Sequence, residues 1–107
     1  MLLIKELNKD KVGDKITLAG WLRTKRDSKG GFSFLEINDG STFTGIQVVA
    51  DNNLDNYSDI KLLHTGASLK VSGKLVESPG AKQAYELQAD NVVIYGNTDQ
   101  SYLLQKG

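Results

Sequence analysis

The sequence predicts an all-β domain, a five-stranded barrel with one helix between its third and fourth strands. Three observations predict this class. Apolar and polar residues alternate over short runs rich in Val, Ile, Thr, Tyr and Phe, which is the period of a half-buried strand. Eleven glycines and only one proline punctuate these runs within 107 residues. Between the third and fourth runs, the apolar period changes to a helical one.

Alternation predicts strands at residues 16–26, 32–38, 43–50, 68–77 and 83–95. Asp39-Gly40, between the second and third strands, is a strong hairpin signal. Gly20 interrupts the first strand, and we expect a bulge or sharp bend there because small barrels turn their corners at such glycines. The strands define a barrel domain over residues 16–96, which follows an N-terminal segment (1–15) and precedes a polar tail (97–107).

The interval between the third and fourth strands predicts a helix over residues 57–64. Apolar residues recur there at helical spacing from Tyr57 to His64. Asn56 is a candidate N-cap, and Gly66 lies where a C-terminal glycine is expected. The resulting order, three strands, a helix and two strands, is that of the OB-fold, a five-stranded Greek-key barrel. The SH3-like barrel is the competing architecture, but it has no interposed helix of this length.

Composition excludes several classes of protein. A chain of 107 residues is one domain, and the absence of cysteine excludes disulfide scaffolds, thiolate zinc sites and cysteine nucleophiles. Thirteen basic and thirteen acidic residues cancel, which argues against binding nucleic acid by bulk charge alone. No apolar run approaches the roughly 18 residues of a membrane span, and residues 1–6 lack the features of a signal peptide. We therefore expect a cytoplasmic protein.

Alternation also predicts which residues face outward. Leu35 and Ile37 share the inner side of the second strand, so Phe34 lies on the outer side. The same argument turns Gln47 outward on the third strand and Glu86 outward on the fifth. An aromatic ring beside an amide and a carboxylate suits an OB-fold that stacks a base and reads its edge. Two plainer interpretations stay open: Phe34 packs against the N-terminal segment, and Gln47 is a solvated strand residue.

Positive charge is concentrated at the end of the first strand and in the following loop. Residues 21–31 contain one acid, Asp27, and four basic residues: Arg23, Lys25, Arg26 and Lys29. Their position next to the strand that carries Phe34 suggests a local track for phosphates. The alternative is a solvated, positively charged hairpin end.

Signals of catalysis are absent from the sequence. Gly30-Gly31 is not part of a phosphate-binding loop motif, and His64 is the single histidine, with no ligand-spaced partner. We predict no metal site and no cofactor for this chain. Glu36 and Glu86 could form a carboxylate pair across the sheet, but no second feature supports hydrolysis.

Residues 20–29 (GWLRTKRDSK), followed by 32–41 (FSFLEINDGS) and 46–49 (IQVV), carry a more specific signal. Together they resemble the N-terminal anticodon-binding domain of the class IIb aminoacyl-tRNA synthetases, the aspartyl, asparaginyl and lysyl enzymes. The Arg-Asp-Ser-Lys and Asp-Gly-Ser runs, with residues 73–80, resemble the asparaginyl branch most closely. The resemblance extends from about Val12 to Lys106.

The resemblance implies roles for four residues. Phe34 would stack on the middle anticodon uridine, and Gln47 would pair with the edge of that uridine. Glu86 would contact a neighbouring anticodon base, and Arg26 would lie near the anticodon backbone. Three of these are outer-face residues that alternation also selects. Arg26 is the exception, because a bend at Gly20 leaves its side of the strand undetermined.

The resemblance also implies a larger parent protein, an asparagine–tRNA ligase that uses ATP and Mg²⁺ and forms a homodimer. The family's catalytic motifs are absent from this sequence, while residues 97–107 resemble the start of a hinge without its usual proline. We expect tRNA(Asn) to be the partner. A piece of a full synthetase, a free-standing paralogue and an aspartyl-type domain are all compatible with these motifs. A general single-strand-binding OB-fold and a protein-interaction barrel are the alternatives outside the family.

Overall fold

The computed structural model describes residues 2–42, 45–78 and 85–97, and these form a closed barrel of five strands. The strands are β1 (Lys15–Asp27), β2 (Phe32–Asn38), β3 (Ile46–Asp51), β4 (Ser68–Glu77) and β5 (Tyr85–Gly96). One helix, α1 (Tyr57–Ile60), lies between β3 and β4, and two 3₁₀ turns, Ile4–Glu6 and Lys9–Lys11, precede β1. The predicted all-β class is confirmed. None of the described helices is long and apolar enough to cross a membrane.

The strand order around the barrel is β1-β2-β3-β5-β4, and β4 closes the barrel by pairing with β1. Neighbouring strands run antiparallel, except that β3 and β5 pair in parallel. This arrangement is the Greek-key barrel of the OB-fold, as predicted. The parallel contact places two strands side by side that are separated in sequence by α1 and β4.

Inward-facing aliphatic side chains fill the barrel, as alternation predicts. Leu35 and Ile37 of β2, Val48 of β3 and Leu87 of β5 are fully buried. Glu36, between the two β2 residues, lies on the opposite side of the strand and keeps partial exposure. Within the described part of the chain, every buried side-chain nitrogen or oxygen has a hydrogen-bond partner. The barrel therefore has a consistent inner and outer side.

The irregularity of β1 lies at Arg23, so the prediction of a bulge at Gly20 is wrong. The register of β1 against β2 shifts between Leu22 and Thr24, which makes Arg23 an extra residue on β1. One inserted residue moves every later side chain to the other face of the strand. The second half of β1 therefore turns Arg26 outward.

Gly20 is required by a close backbone approach. A Cβ atom at this position would collide with the backbone carbonyl group of Asn38. The end of β2 thus lies directly against β1, at the place where β1 also pairs with β4. A residue without a side chain is needed there because no flexible atom could move aside.

The helix is shorter than predicted. It ends at Ile60, and residues 61–64 lie outside it. Side chains from other parts of the chain form hydrogen bonds with the backbone of this segment. Lys25 donates to the carbonyl oxygen of Lys61. Asn97 donates to the carbonyl oxygen of Leu62 and accepts from the N–H of His64. Because these tertiary partners take up groups that a further helical turn would use, the chain turns toward β4 instead.

The predicted cap of α1 has a different role. Asn56 makes no side-chain capping hydrogen bond, and its Nδ2 donates instead to the carbonyl oxygen of Val92 on β5 at 2.8 Å. Gly66 has a φ of 97°, the backbone conformation expected of a turn glycine, but it belongs to the turn before β4. Both residues therefore secure the connections around α1.

Parts of three predictions lie outside the described residues. The third and fifth strands are predicted to start at residues 43 and 83, whereas the described strands start at Ile46 and Tyr85. The structure describes the predicted tail, residues 97–107, only at Asn97.

The N-terminal segment is tied to the connection between β2 and β3. The N–H of Ile4, a buried residue, donates to Oδ2 of Asp39 at 2.8 Å, and the N–H of Lys5 donates to the Ser41 hydroxyl at 3.0 Å. Burial acts to raise the pKa of Asp39, but hydrogen bonds from Ser41 and the Ile4 N–H outweigh it and hold that pKa below 3.8, its ordinary value. The predicted Asp39-Gly40 turn thus also anchors the start of the chain.

We expect Gly20→Ala to destabilise the barrel by about 1–3 kcal/mol, because β1 and β2 must separate to admit the methyl group. The matched control is Gly96→Ala, where a Cβ atom would lie 3.5 Å from the Ser68 hydroxyl, an ordinary contact. This control should change stability by no more than about 0.5 kcal/mol. Urea unfolding of both variants measures the difference, and equal effects would contradict the close-approach explanation.

Candidate nucleic-acid interface

Two rows of side chains cross the outer surface of β1, β2, β3 and β5, which we call the outer face. Strand register defines the rows, because residues paired across neighbouring strands lie side by side on one face. The polar row is Thr24, Glu36, Gln47 and Glu86. The aromatic row is Arg26, Phe34, Val49 and Gln88.

Arg26 and Phe34 are in contact at the start of the aromatic row. The guanidinium carbon of Arg26 lies 5.0 Å from the centroid of the Phe34 ring, which is within the range of a cation–π interaction. The bulge at Arg23 makes the contact possible, since uninterrupted alternation from Leu22 would turn Arg26 toward the core. Phe34 is half-buried, so the ring is partly supported by the sheet and partly accessible.

The polar row contains two hydrogen-bonded pairs. Nε2 of Gln47 donates to Oε1 of Glu86 at 3.2 Å, across the parallel contact of β3 with β5. The hydroxyl of Thr24 donates to Oε1 of Glu36 at 3.3 Å, across β1 and β2. Gln47, Glu36 and Glu86 are all half-buried. The row therefore presents an amide between two carboxylates, a set of groups that can both donate to and accept from a base edge.

The two carboxylates of this row are not neighbours. Gln47 pairs with Glu36 on one side and with Glu86 on the other, which places the Cα atoms of the two acids roughly 10 Å apart, two strand spacings. Within the described ranges, no three His, Asp or Glu side chains are grouped so that they could hold a metal ion.

The four predicted phosphate contacts do not lie together. Arg26 lies on the outer face, Arg23 is exposed at the bulge, and Lys29 is exposed in the loop between β1 and β2. Lys25 points to the other side of β1: its Nζ donates to the carbonyl oxygen of Lys61 at 2.5 Å and lies 3.2 Å from Oδ2 of Asp27. The structure therefore brings Arg26 to Phe34 and directs Lys25 to the end of α1.

A hydrogen-bonded network beneath this loop was not predicted from the sequence. The buried Ser33 hydroxyl donates to Oδ1 of Asp27 at 2.6 Å and lies 3.0 Å from the hydroxyl of Tyr57 on α1. The Ser33 hydrogen bond lowers the pKa of Asp27, burial opposes that effect, and Lys25 lowers the pKa further. The alternation of β2 does indicate such a network, because it places the polar Ser33 on the inner side of the strand, where a hydroxyl needs a hydrogen-bond partner. The network fixes the end of β1, and therefore the position of Arg26.

We expect Asp27 to stabilise the fold less as the pH falls below about 3.8, its ordinary pKa. The folded-state pKa is lowered, so this contribution is complete above the unfolded-state pKa and disappears as the pH falls through the folded-state value. Asp27→Asn should be less stable than the parent at pH 7, and the two should converge as the pH falls through the folded-state pKa of Asp27. Urea midpoints across this range test the expectation, with Asp55→Asn, an exposed residue between β3 and α1, as the control. A constant difference at every pH would contradict it.

A closed five-stranded barrel that carries an accessible ring beside an amide and a carboxylate has the architecture of the OB-fold nucleic-acid-binding proteins. The family model for the tRNA anticodon type of OB-fold nucleic acid binding domain matches residues 16–95. The chain belongs to this family, which confirms the resemblance seen in the sequence.

Relatives of known name agree with this assignment. The chain is 56% identical over 86 residues to an asparagine–tRNA ligase from Colwellia psychrerythraea, covering 79% of this chain and 18% of that protein. It is 44% identical over 107 residues to the asparagine–tRNA ligase of Bacillus cereus, covering 97% of this chain and 23% of that protein. It thus spans about a fifth of the length of the curated relatives it matches.

A solved structure shows the same fold. The asparaginyl-tRNA synthetase of Pyrococcus horikoshii, complexed with asparaginyl-adenylate, superposes with a TM-score of 0.82 at 22% identity, covering 92% of this chain and 23% of that chain. The barrel with its interposed helix is therefore shared at low sequence identity.

Proposed function

We propose that this chain recognises the anticodon of tRNA(Asn) and is the anticodon-binding part of an asparagine–tRNA ligase. The observation that carries the proposal is the arrangement of Phe34 and Gln47, which lie diagonally across the β2–β3 pair on one accessible face. Glu86 is hydrogen-bonded to Gln47 on the same face. Membership of the anticodon-type family and the names of the relatives support the same function.

Phe34 supplies the platform for stacking. A base that stacks on a half-buried phenylalanine gains about 1–3 kcal/mol, whatever its identity. Arg26 already lies 5.0 Å from the centroid of the ring, so the arriving base displaces the guanidinium or shares the ring with it. A displaced guanidinium remains within reach of the RNA backbone, because the Arg26 side chain is long and exposed. The residue can therefore exchange a ring contact for a phosphate contact.

In this proposal, Gln47 recognises the Watson–Crick edge of the base that stacks on Phe34. Its carboxamide has an oxygen that accepts and a nitrogen that donates, which complements the imino and carbonyl groups of uridine. Gln47 lies two residues from Val49, the direct partner of Phe34. At this diagonal distance a pyrimidine held over the ring can direct its Watson–Crick edge to the amide.

Glu86, Arg23 and Lys29 complete the proposed contacts. One oxygen of Glu86 accepts from Gln47, and the carboxylate has further capacity to accept from an amino or imino group of a neighbouring base. Arg23 is exposed at the bulge beside Thr24, and Lys29 is exposed in the β1–β2 loop, where each can meet a phosphate. Lys25 is not included, because its ammonium group is engaged with Lys61 and Asp27 on the other side of β1.

The parent protein of this proposal attaches asparagine to tRNA(Asn) in the cytoplasm, as a homodimer. ATP and Mg²⁺ belong to that reaction and would be held by a part of the parent other than this barrel. The 107-residue sequence has no glycine-rich phosphate loop. The role of this chain is to bind and orient the tRNA.

We expect Phe34→Ala to weaken binding to any anticodon stem-loop, and Gln47→Ala chiefly to reduce the preference for uridine over cytidine at the middle position. The reason is that a ring stacks on every base, whereas an amide distinguishes the edges. The measurement is the affinity of each variant for two stem-loops that differ only at that base, at one salt concentration.

Phe32→Ala is the matched control for the ring, because Phe32 is exposed on the same side of β2 but pairs with Asp51, outside both rows. It should weaken binding less than Phe34→Ala. An unchanged affinity of Phe34→Ala would exclude the outer face as the binding surface. An unchanged uridine preference of Gln47→Ala would exclude the amide as the reader.

We expect the 107-residue chain alone to show only background asparagine-dependent pyrophosphate exchange. The physical reason is that the outer face offers stacking and edge-reading groups but no site for ATP and an amino acid together. The assay is run beside a full-length asparagine–tRNA ligase as the positive control. Clear exchange by the isolated chain would contradict its assignment as a recognition module.

A further inference from the structure

The hydrogen bond between Gln47 and Glu86 joins two residues that are 39 positions apart in sequence. Parallel pairing of β3 with β5 makes them direct partners, with Val48 opposite Leu87 next to them in the core. The two side chains therefore project from strands whose positions are fixed by the closure of the barrel. Their contact belongs to the fold and does not require RNA to form.

The chemistry of this contact allows only one orientation of the amide. An ionised carboxylate accepts hydrogen bonds and donates none, so the NH₂ group of Gln47 must face Glu86. The carboxamide oxygen is consequently directed away from Glu86. We propose that Glu86 is a positioning residue that sets the orientation of the Gln47 amide and thereby the choice of uridine over cytidine. This inference rests on the proposed function.

The choice of base depends on that orientation because the two pyrimidines differ at N3. Uridine carries an N3–H donor, which the amide oxygen of Gln47 can accept, whereas cytidine carries an acceptor there, which the oxygen repels. An amide turned by 180° would present its NH₂ group and reverse the preference. Discrimination therefore requires that the amide be held one way before the base arrives.

Glu36 is a second acceptor beside Gln47, and this is why the orientation of the Gln47 amide has to be set by Glu86. It is the partner of Gln47 on the opposite side, across the β2–β3 pair, and its carboxylate can also accept from an amide NH₂ group. In the structure, Oε1 of Glu36 accepts from the hydroxyl of Thr24 on β1. Without the negative charge at Glu86, the NH₂ group of Gln47 would have Glu36 as its stronger acceptor. The polar row thus holds the amide between two competing acceptors.

Glu86→Gln tests the proposal in the 107-residue chain. A carboxamide at this position both donates and accepts, so it tolerates either orientation of Gln47. The ratio of affinities for stem-loops with uridine or cytidine at the middle position should fall roughly fivefold or more. Asp90→Asn is the matched control: it makes the same chemical change on β5, but at a residue outside both rows, whose carboxylate forms an ion pair with Lys15. Its ratio should equal that of the parent.

A second readout requires no RNA. The two side-chain amide proton signals of Gln47 in the NMR spectrum of the free protein should move in Glu86→Gln and stay in place in Asp90→Asn. In the Gln47→Ala background, Glu86→Gln should have no further effect on the uridine-to-cytidine ratio. Thermal unfolding verifies that each variant is folded.

The outcomes separate this inference from the proposed function. If Glu86→Gln lowers the affinity for both loops equally and keeps the ratio, Glu86 acts only through its contact with the neighbouring base and the positioning role is wrong. If Glu86→Gln lowers the ratio just as much when Gln47 is alanine, the effect does not pass through the amide, and the positioning role is again wrong. If the parent chain has no uridine preference, both the inference and the proposed reading of the middle base fail.

Discussion

The single extra residue at Arg23 determines the geometry on which the rest of the outer face depends. By inserting one residue into β1, the bulge reverses the sides of the residues that follow. Lys25 then turns inward to the end of α1, and Arg26 turns outward to the ring of Phe34. The insertion thus places Lys25 where it secures the end of α1 and Arg26 where it contacts the ring of Phe34. Removing the inserted residue would reverse the sides of Lys25 and Arg26 and abolish both contacts.

Closure of the barrel adds Glu86, on β5, to the residues of the candidate site. The antiparallel β2–β3 hairpin brings only Phe34, Glu36 and Gln47 together, and these come from a short stretch of sequence. Glu86 joins them because β5 pairs in parallel with β3 after the chain has passed through α1 and β4. The hydrogen bond from Gln47 to Glu86 therefore forms only in the complete barrel. The polar row depends on global folding, whereas the placement of Phe34 beside Glu36 and Gln47 depends on one hairpin.

This difference explains how much could be predicted from the sequence. Alternation along β2, β3 and β5 placed Phe34, Gln47 and Glu86 outward, because a strand with one buried face has a strict period of two. The same rule failed in β1, where the bulge has no local signal: Arg23 is an ordinary residue, while the more conspicuous Gly20 serves a close approach to Asn38. The end of α1 was also mispredicted, because its polar groups are bound by Lys25 of β1 and by Asn97, which follows β5. The periodicity of a segment reflects only which of its own faces is buried, and it carries no information about partners from distant parts of the chain.

The charges of the outer face favour selectivity over affinity. A protein that held RNA mainly by its phosphates would need many exposed cations, yet this chain has no net charge and sets two carboxylates, Glu36 and Glu86, into the centre of the face. In the proposed complex these acids would repel the RNA backbone, although each already accepts one hydrogen bond within the polar row, Glu36 from Thr24 and Glu86 from Gln47. Of the exposed cations, Arg26 and Lys29 lie on the β1–β2 loop side of the polar row, whereas Arg23 lies beyond Thr24 on the other side. Under the proposed function, a wrong base would leave the remaining capacity of a partly buried carboxylate or amide without a partner, and that penalty would discriminate more strongly than an additional phosphate contact.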